Sequence, residues 1–182
     1  MGSKVFTLAV IVLGAVLVLT LGGIVISLLL PAQISGGKNT SKASKHIPEE
    51  IWSMEIYDLK GNKADLSKYK GKVIIIDFFA TYCAWCKVQI KELIKLKSKM
   101  SDIYIVSISV SAADTPKKIK VFVENTGIDW PIYIDKKGNL VKLFNIRAIP
   151  TTVIIGPTGK YIKLVGLVKY DQLIEYIKSI KE

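Results

Sequence analysis

Apolar positions along this chain follow two different patterns. Val5 to Leu30 is almost continuously apolar, broken only by Thr7, Thr20, Ser27 and three glycines, and no charge lies between Lys4 and Lys38. Such a run exceeds the ~20 residues a helix needs to cross a bilayer and the ~7–15 residue core of a cleavable signal. No clear small-residue cleavage site follows it. Residues 5–30 therefore read as a retained single-pass anchor in membrane lipid, behind a short tail of residues 1–4. The rival reading is a long signal sequence cut near residues 32–37. Residues 31–45 are Ser, Gly, Lys, Asn and Thr with hardly an apolar side chain, so they are expected to be a flexible linker. Larger apolar residues resume between Ile47 and Trp52, and the folded domain is placed at 46–182.

Within that domain the pattern alternates between strand and helix. Ile51–Leu59 reads as a short edge strand, followed by a turn at Lys60-Gly61-Asn62 and a helical turn over Leu66–Tyr69. Val73–Phe79 is nearly all apolar, which predicts a central strand covered on both faces. A helix after Cys83 would turn Ile90, Leu93 and Ile94 inward and Lys91, Lys95 and Lys99 outward. Ile103–Val110 predicts a second buried strand. Asp114-Thr115-Pro116 supplies a capping residue and a first-turn proline for a helix through about Glu124. A short strand over Trp130–Asp135 and a short helix over Asn139–Phe144 come next. Strands Thr151–Ile155 and Tyr161–Val165 are joined by the turn Gly156-Pro157-Thr158-Gly159, and an amphipathic helix over Asp171–Lys181 turns Leu173, Ile174 and Ile177 inward. The Gly159-Lys160 pair lacks the spacing and the following Ser/Thr of a phosphate-binding loop, so it is read as a hairpin turn. These elements give an α/β domain with a mixed sheet.

Charge changes this picture little. The chain carries a net charge of +11, and all 15 acidic residues and 22 of the 26 basic ones lie at Glu49 or later. The lysines are spread over the whole domain, without a patch interleaved with aromatics, which argues against nucleic acid as a partner. Two cues to sidedness oppose each other. Lys38, Lys42 and Lys45 after the span favour a cytoplasmic domain, whereas the sequon Asn39-Thr40-Ser41 suits an external linker.

Candidate chemistry is concentrated in one place. The only two cysteines form Cys83-Ala84-Trp85-Cys86, directly after the Val73–Phe79 run. A strand that delivers this pair to a helix start sets the first sulfur at the positive end of the helix dipole, which favours thiolate. Cys83 is thus the expected exposed nucleophile, and Cys86, one turn deeper, the residue that resolves a mixed disulfide. Asp77 is a carboxylate inside an otherwise apolar strand, six residues before Cys83. Burial would raise its pKa and suit it to exchanging a proton near neutrality, unless it points to solvent or is bonded to a neighbour. A zinc site would need four ligands, and His46, in the tether, is the one histidine. No metal or cofactor is expected. A purely structural bridge would close too small a loop to stabilise much, and two thiols that merely pack are the remaining alternative.

The segments Asp77-Phe78-Phe79-Ala80-Thr81-Tyr82-Cys83-Ala84-Trp85-Cys86-Lys87 and Ile146-Arg147-Ala148-Ile149-Pro150-Thr151-Thr152 together resemble thioredoxin. They are more similar still to the membrane-anchored TlpA/ResA-like thiol–disulfide oxidoreductases. The resemblance covers roughly residues 48–182 and implies a thioredoxin-like fold, a redox-active Cys83–Cys86 disulfide, and a cis Ile149–Pro150 bond lying against it. It also implies that the backbone of Ile149 offers hydrogen bonds to an extended substrate, as an added strand would, with Pro150 and Trp85 beside it. Asp114–Asp135 resembles the helix-and-strand insertion of the TlpA-like group. The chain departs from the pattern at Trp85, where proline is usual, and at Tyr82, where tryptophan is typical. Asp77 follows thioredoxin where many TlpA-like members carry asparagine, and Gln89 replaces a ResA-like glutamate.

The function expected is that of a membrane-anchored enzyme exchanging protein disulfides, in the reducing direction, on the outer face of the cell membrane. Its substrates would be disulfide-containing proteins, and a membrane electron-transfer partner of the CcdA/DsbD type would recharge it. Two rivals share the fold. A copper-binding module of the Sco type calls for a longer cysteine spacing and a later histidine, which this chain lacks. A peroxidase calls for a threonine-containing loop backed by arginine, also lacking here.

Overall fold

The computed structural model describes residues 45–181. The expected tail, anchor and most of the linker lie outside the described residues. Among the described residues no helix is long and apolar enough to cross a membrane.

The strands are β1 (Lys45–His46), β2 (Ile56–Tyr57), β3 (Lys63–Ala64), β4 (Val73–Phe79), β5 (Ile103–Ser109), β6 (Ile132–Ile134), β7 (Thr151–Ile155) and β8 (Lys160–Val165). The helices are α1 (Ala84–Lys97), α2 (Pro116–Thr126), α3 (Asn139–Leu143) and α4 (Tyr170–Lys181), with 3-10 turns at Glu49–Ser53 and Ser67–Tyr69. They build one mixed sheet in the order β1-β8-β7-β4-β5-β6-β2-β3. β4 pairs in parallel with β5 and antiparallel with β7, so it lies between the two halves of the sheet.

Period two along β4 explains the layers. Val73, Ile75 and Phe79 pack with Ile90, Leu93 and Leu96 of α1, Ile119 and Phe122 of α2, and Leu173, Ile177 and Ile180 of α4. Ile74, Ile76 and Phe78 point the other way, against Ile51 and Trp52, Leu140 of α3 and Phe144. Every residue of β4 is buried, as its unbroken apolar run predicts for a strand covered on both faces. Phe79 and Phe122 stack with ring centroids 5.1 Å apart, fixing α2 over the end of β4.

Three expectations are corrected. The predicted strand over Ile51–Leu59 is a 3-10 turn through Ser53 and then only Ile56–Tyr57 of β2. Ile51 and Trp52 are buried from the turn, so their apolar character reports burial rather than strand. Lys45 and His46, placed in the tether, pair with Tyr161 and Lys160 of β8. The capping residue expected ahead of Pro116 is Thr115, whose hydroxyl accepts from the Lys118 N–H. Asp114 turns inward, toward the cysteine loop. Cys83, expected to be exposed, keeps only 9% of its surface.

The hairpin reading of residues 156–159 holds. Gly156 N–H donates to Lys160 O at 2.9 Å and Gly159 N–H to Gly156 O at 3.0 Å. Gly159 has φ of 84°, a conformation that side chains with a Cβ resist.

Candidate active site

The site forms where β4 ends. Ala80, Thr81 and Tyr82 lead from the strand into α1, and Cys83 takes the N-cap position. In an ordinary helix a Ser or Asp oxygen accepts the free N–H at this point. Here Cys83 Sγ does so, accepting from Cys86 N–H at 3.0 Å. The geometry directs a backbone donor and the positive helix end at this sulfur, surroundings that favour negative charge on it. Cys86 is fully enclosed, and the two cysteines are joined in a disulfide with Cα atoms 5.2 Å apart. Cys83 keeps a small exposed surface and Cys86 none, an asymmetry of the kind that a nucleophile and a resolving thiol require.

A set of hydrogen bonds absent from the sequence reading fixes the loop. Asp114 is buried and accepts from Thr81 N–H at 3.1 Å, Thr81 Oγ1 at 2.6 Å and Ser109 Oγ at 2.7 Å. It thereby ties the residues just before Cys83 to the end of β5. Behind the cysteines, Gln89 of α1 is buried one turn after Cys86. Its Nε2 donates to Val168 O at 3.1 Å, and its Oε1 accepts from Val168 N–H at 2.7 Å. Glu92, a further turn on, accepts from Tyr170 N–H at 2.9 Å. α1 is thus held to the start of α4 by side chains three residues apart.

Asp77 lies on the α1 face of β4, between Ile75 and Phe79, whose side chains pack in the same cluster as Cys83 and Cys86. It is fully buried, and desolvation pushes its pKa up to about 7, a rise only partly offset by the hydrogen bond from Ser107 Oγ to Oδ2 at 3.1 Å. Trp130 Nε1 in turn donates to Ser107 Oγ at 2.9 Å. Asp77 is thus both buried and bonded to a neighbour. Ser107 interrupts the apolar run of β5 in the same phase that Asp77 interrupts β4, a signal that could have been read from the sequence. Trp130 carried no such signal.

The second motif arrives through β7. Its register sets Thr151 opposite Phe78 and Thr152 opposite Asp77, which brings Pro150 level with the end of β4 where the cysteine loop begins. The Ile149–Pro150 bond is cis. Pro150 is buried, and its carbonyl accepts from Gly166 N–H at 2.8 Å. Ile149 is half-buried, and among the described residues its backbone N–H and C=O have no hydrogen-bond partner. Trp85 and Tyr82 stand out beside the cysteines, 64% and 73% exposed. The fold therefore collects both motifs at one end of the sheet.

An α/β sheet with a helix-capping Cys-x-x-Cys pair and a cis-proline strand level with it defines a thioredoxin-like thiol–disulfide oxidoreductase. The chain belongs to the AhpC/TSA family, whose pattern matches residues 47–163. It is 30% identical over 145 residues to the thiol-disulfide oxidoreductase ResA of Bacillus thuringiensis subsp. konkukian, covering 79% of this chain and 84% of that one. With the ResA of Bacillus cereus the identity is 31% over 142 residues, 77% and 82% of the two chains. Among solved structures, a thioredoxin-like protein from Aeropyrum pernix superposes with a TM-score of 0.63 at 25% identity, over 70% of this chain and 89% of that one. The protein is a ResA-like enzyme that exchanges thiols and disulfides.

Proposed function

We propose that the chain is a membrane-tethered reductant of protein disulfides, anchored through residues 5–30 with its catalytic domain outside the cell. The observation that carries the chemistry is the Cys86 N–H donated to Cys83 Sγ, which stabilises a thiolate at the one reachable sulfur. In the reduced enzyme, Cys83 thiolate attacks a substrate disulfide. A Cys83–substrate S–S bond forms, the substrate bond breaks, and one substrate sulfur leaves as thiolate. Cys86 then gives its proton to Asp77 and attacks Cys83 Sγ. The Cys83–Cys86 bond closes, and the second substrate sulfur leaves. Two electrons pass from the enzyme dithiol to the substrate.

Resolution is the step that needs a base, because Cys86 is fully enclosed and must lose its proton before it attacks. Asp77, buried and titrating near neutrality, suits that task, and this supports the reducing direction. Ile149 offers its unpartnered N–H and C=O to an extended substrate strand, with Pro150 beside it and Trp85 as an exposed apolar contact. A disulfide-containing protein is the substrate class. The oxidised enzyme needs electrons from within the cell, which calls for a membrane dithiol carrier of the CcdA/DsbD type.

Equilibrating the Cys83–Cys86 couple with a dithiol buffer tests the direction. A reduction potential near that of thioredoxin, about −270 mV, supports the proposal, and one near −120 mV makes the enzyme an oxidant. Labelling intact cells with a membrane-impermeant thiol reagent tests the side. Labelled Cys83 is the expected result, and protection until lysis would place the domain inside.

A further inference from the structure

Three polar side chains cross the buried face of the sheet in a single row. Ser107 of β5, Asp77 of β4 and Thr152 of β7 are paired in register, and all three are fully buried. Directly paired residues point to the same side, so the row faces the layer that contains the two cysteines. Polar groups in such a layer are costly unless bonded.

Half of the row is bonded. Trp130 Nε1–H occupies a lone pair of Ser107 Oγ, and the Ser107 hydroxyl proton goes to Asp77 Oδ2. The other half is open. Asp77 Oδ1 and Thr152 Oγ1 are the two buried side-chain polar atoms that have no hydrogen-bond partner among the described residues. They belong to residues directly opposite each other in the antiparallel β4–β7 ladder, where Cβ atoms lie about 4.5–5.5 Å apart. At that separation a change of the Thr152 χ1 rotamer brings a hydroxyl toward the carboxyl group, for a direct bond or one bridged by a water molecule.

We propose that Thr152 is a positioning residue for Asp77, its hydroxyl donating to Oδ1 when the carboxylate is charged and releasing it when Oδ1 carries a proton. Ser107 holds Oδ2 in both states, so Oδ1 is the oxygen that takes the proton from Cys86 during resolution. Thr152 then sets how strongly Asp77 holds that proton. The inference rests on the reading of Asp77 as the base for Cys86.

Few other groups could produce the same pH dependence. Over Asp77, α1 presents Cys83 and Cys86, while α2 and α4 present Ile119, Phe122, Leu173 and Ile177 to this layer. Asp114 is bonded at Ser109, two positions beyond Ser107 on β5, with its oxygens occupied by Thr81 and Ser109. Tyr170 and Tyr176 of α4 are only partly buried at the edge of the cluster. No charged neighbour contributes to the shift at Asp77.

The test is the rate of insulin reduction by the full-length protein in detergent between pH 5 and 9. Thr152→Val keeps the shape and removes the donor. It should move the midpoint of the rising limb upward by about one unit, giving roughly tenfold slower turnover below the midpoint and the parent rate at high pH. Thr152→Ser restores the donor and should restore the midpoint. A Val variant whose midpoint is unmoved or lowered overturns the proposal. Asp77→Asn, measured alongside, separates the two levels of the argument. If it abolishes the limb while the Val variant leaves the limb unmoved, only the role of Thr152 falls. If it keeps the parent limb, Asp77 is not the base and both readings fall.

Discussion

Asp114 and Thr81, 33 residues apart in sequence, are joined by two hydrogen bonds that hold the approach to the active site. The carboxylate takes both the amide and the hydroxyl of Thr81 and reaches Ser109 as well, so one buried side chain connects the cysteine loop to β5 and the start of α2. Asp114→Ala leaves three donors without an acceptor. Urea unfolding should show a loss of about 2–3 kcal/mol, since each stranded buried group costs on the order of 1–3 kcal/mol and the site relaxes partly toward solvent. Thr81→Ala should cost less, and the pair should be non-additive in a double-mutant cycle. Strictly additive losses would mean that the latch does not act as a unit.

The two cysteines should fail differently. Cys83→Ser removes the reachable sulfur and should abolish insulin reduction. Cys86→Ser leaves the nucleophile without a resolving thiol and should accumulate mixed disulfides, visible as higher-mass species on non-reducing gels. Normal turnover by Cys83→Ser would remove the basis for the mechanism.

Asp77 should make the protein less stable as pH rises. Its folded pKa is raised to about 7, so between the ordinary carboxylate range and neutrality the folded state binds a proton that the unfolded state has lost. Stability then falls as pH climbs through this window, and the full cost, on the order of 4 kcal/mol, is present above the folded pKa and absent below the unfolded one. Asp77→Asn should therefore gain on the parent protein between pH 5 and 8 in parallel urea titrations. Parallel curves at all pH values would show that Asp77 is ionised when folded.

Gln89 gives a control with the opposite construction. As an amide it satisfies both backbone groups of Val168 without titrating. Gln89→Glu keeps the shape, and when protonated it can still donate to Val168 O. Burial favours that neutral form and raises the pKa of the introduced acid. The variant should match the parent near pH 4 and lose stability progressively toward pH 8. Equal stability at both ends would mean that solvent reaches the position.

Much of this molecule was legible in its sequence because the signals are local. An unbroken apolar run identified β4, a proline after a threonine marked the start of α2, and three-residue spacing of the only two cysteines located the redox pair. Asp77 stood out for the same reason, as a single carboxylate where every neighbour is apolar. Tertiary structure decided what depended on pairing between distant segments. Asp114 has the composition of a helix cap, yet Thr115 caps the helix and frees the carboxylate to hold Thr81. Ile51 and Trp52 have the composition of a strand, yet a 3-10 turn buries them equally well. The partners of Asp77 follow from register, because only the β5–β4–β7 ladder sets Ser107 and Thr152 on either side of it. Sequence by itself singled out the groups proposed to carry the chemistry, since reactivity resides in residue type and helix position. The fold alone determined how tightly Asp77 holds its proton, since that depends on burial and on hydrogen bonds from strands brought together only by folding.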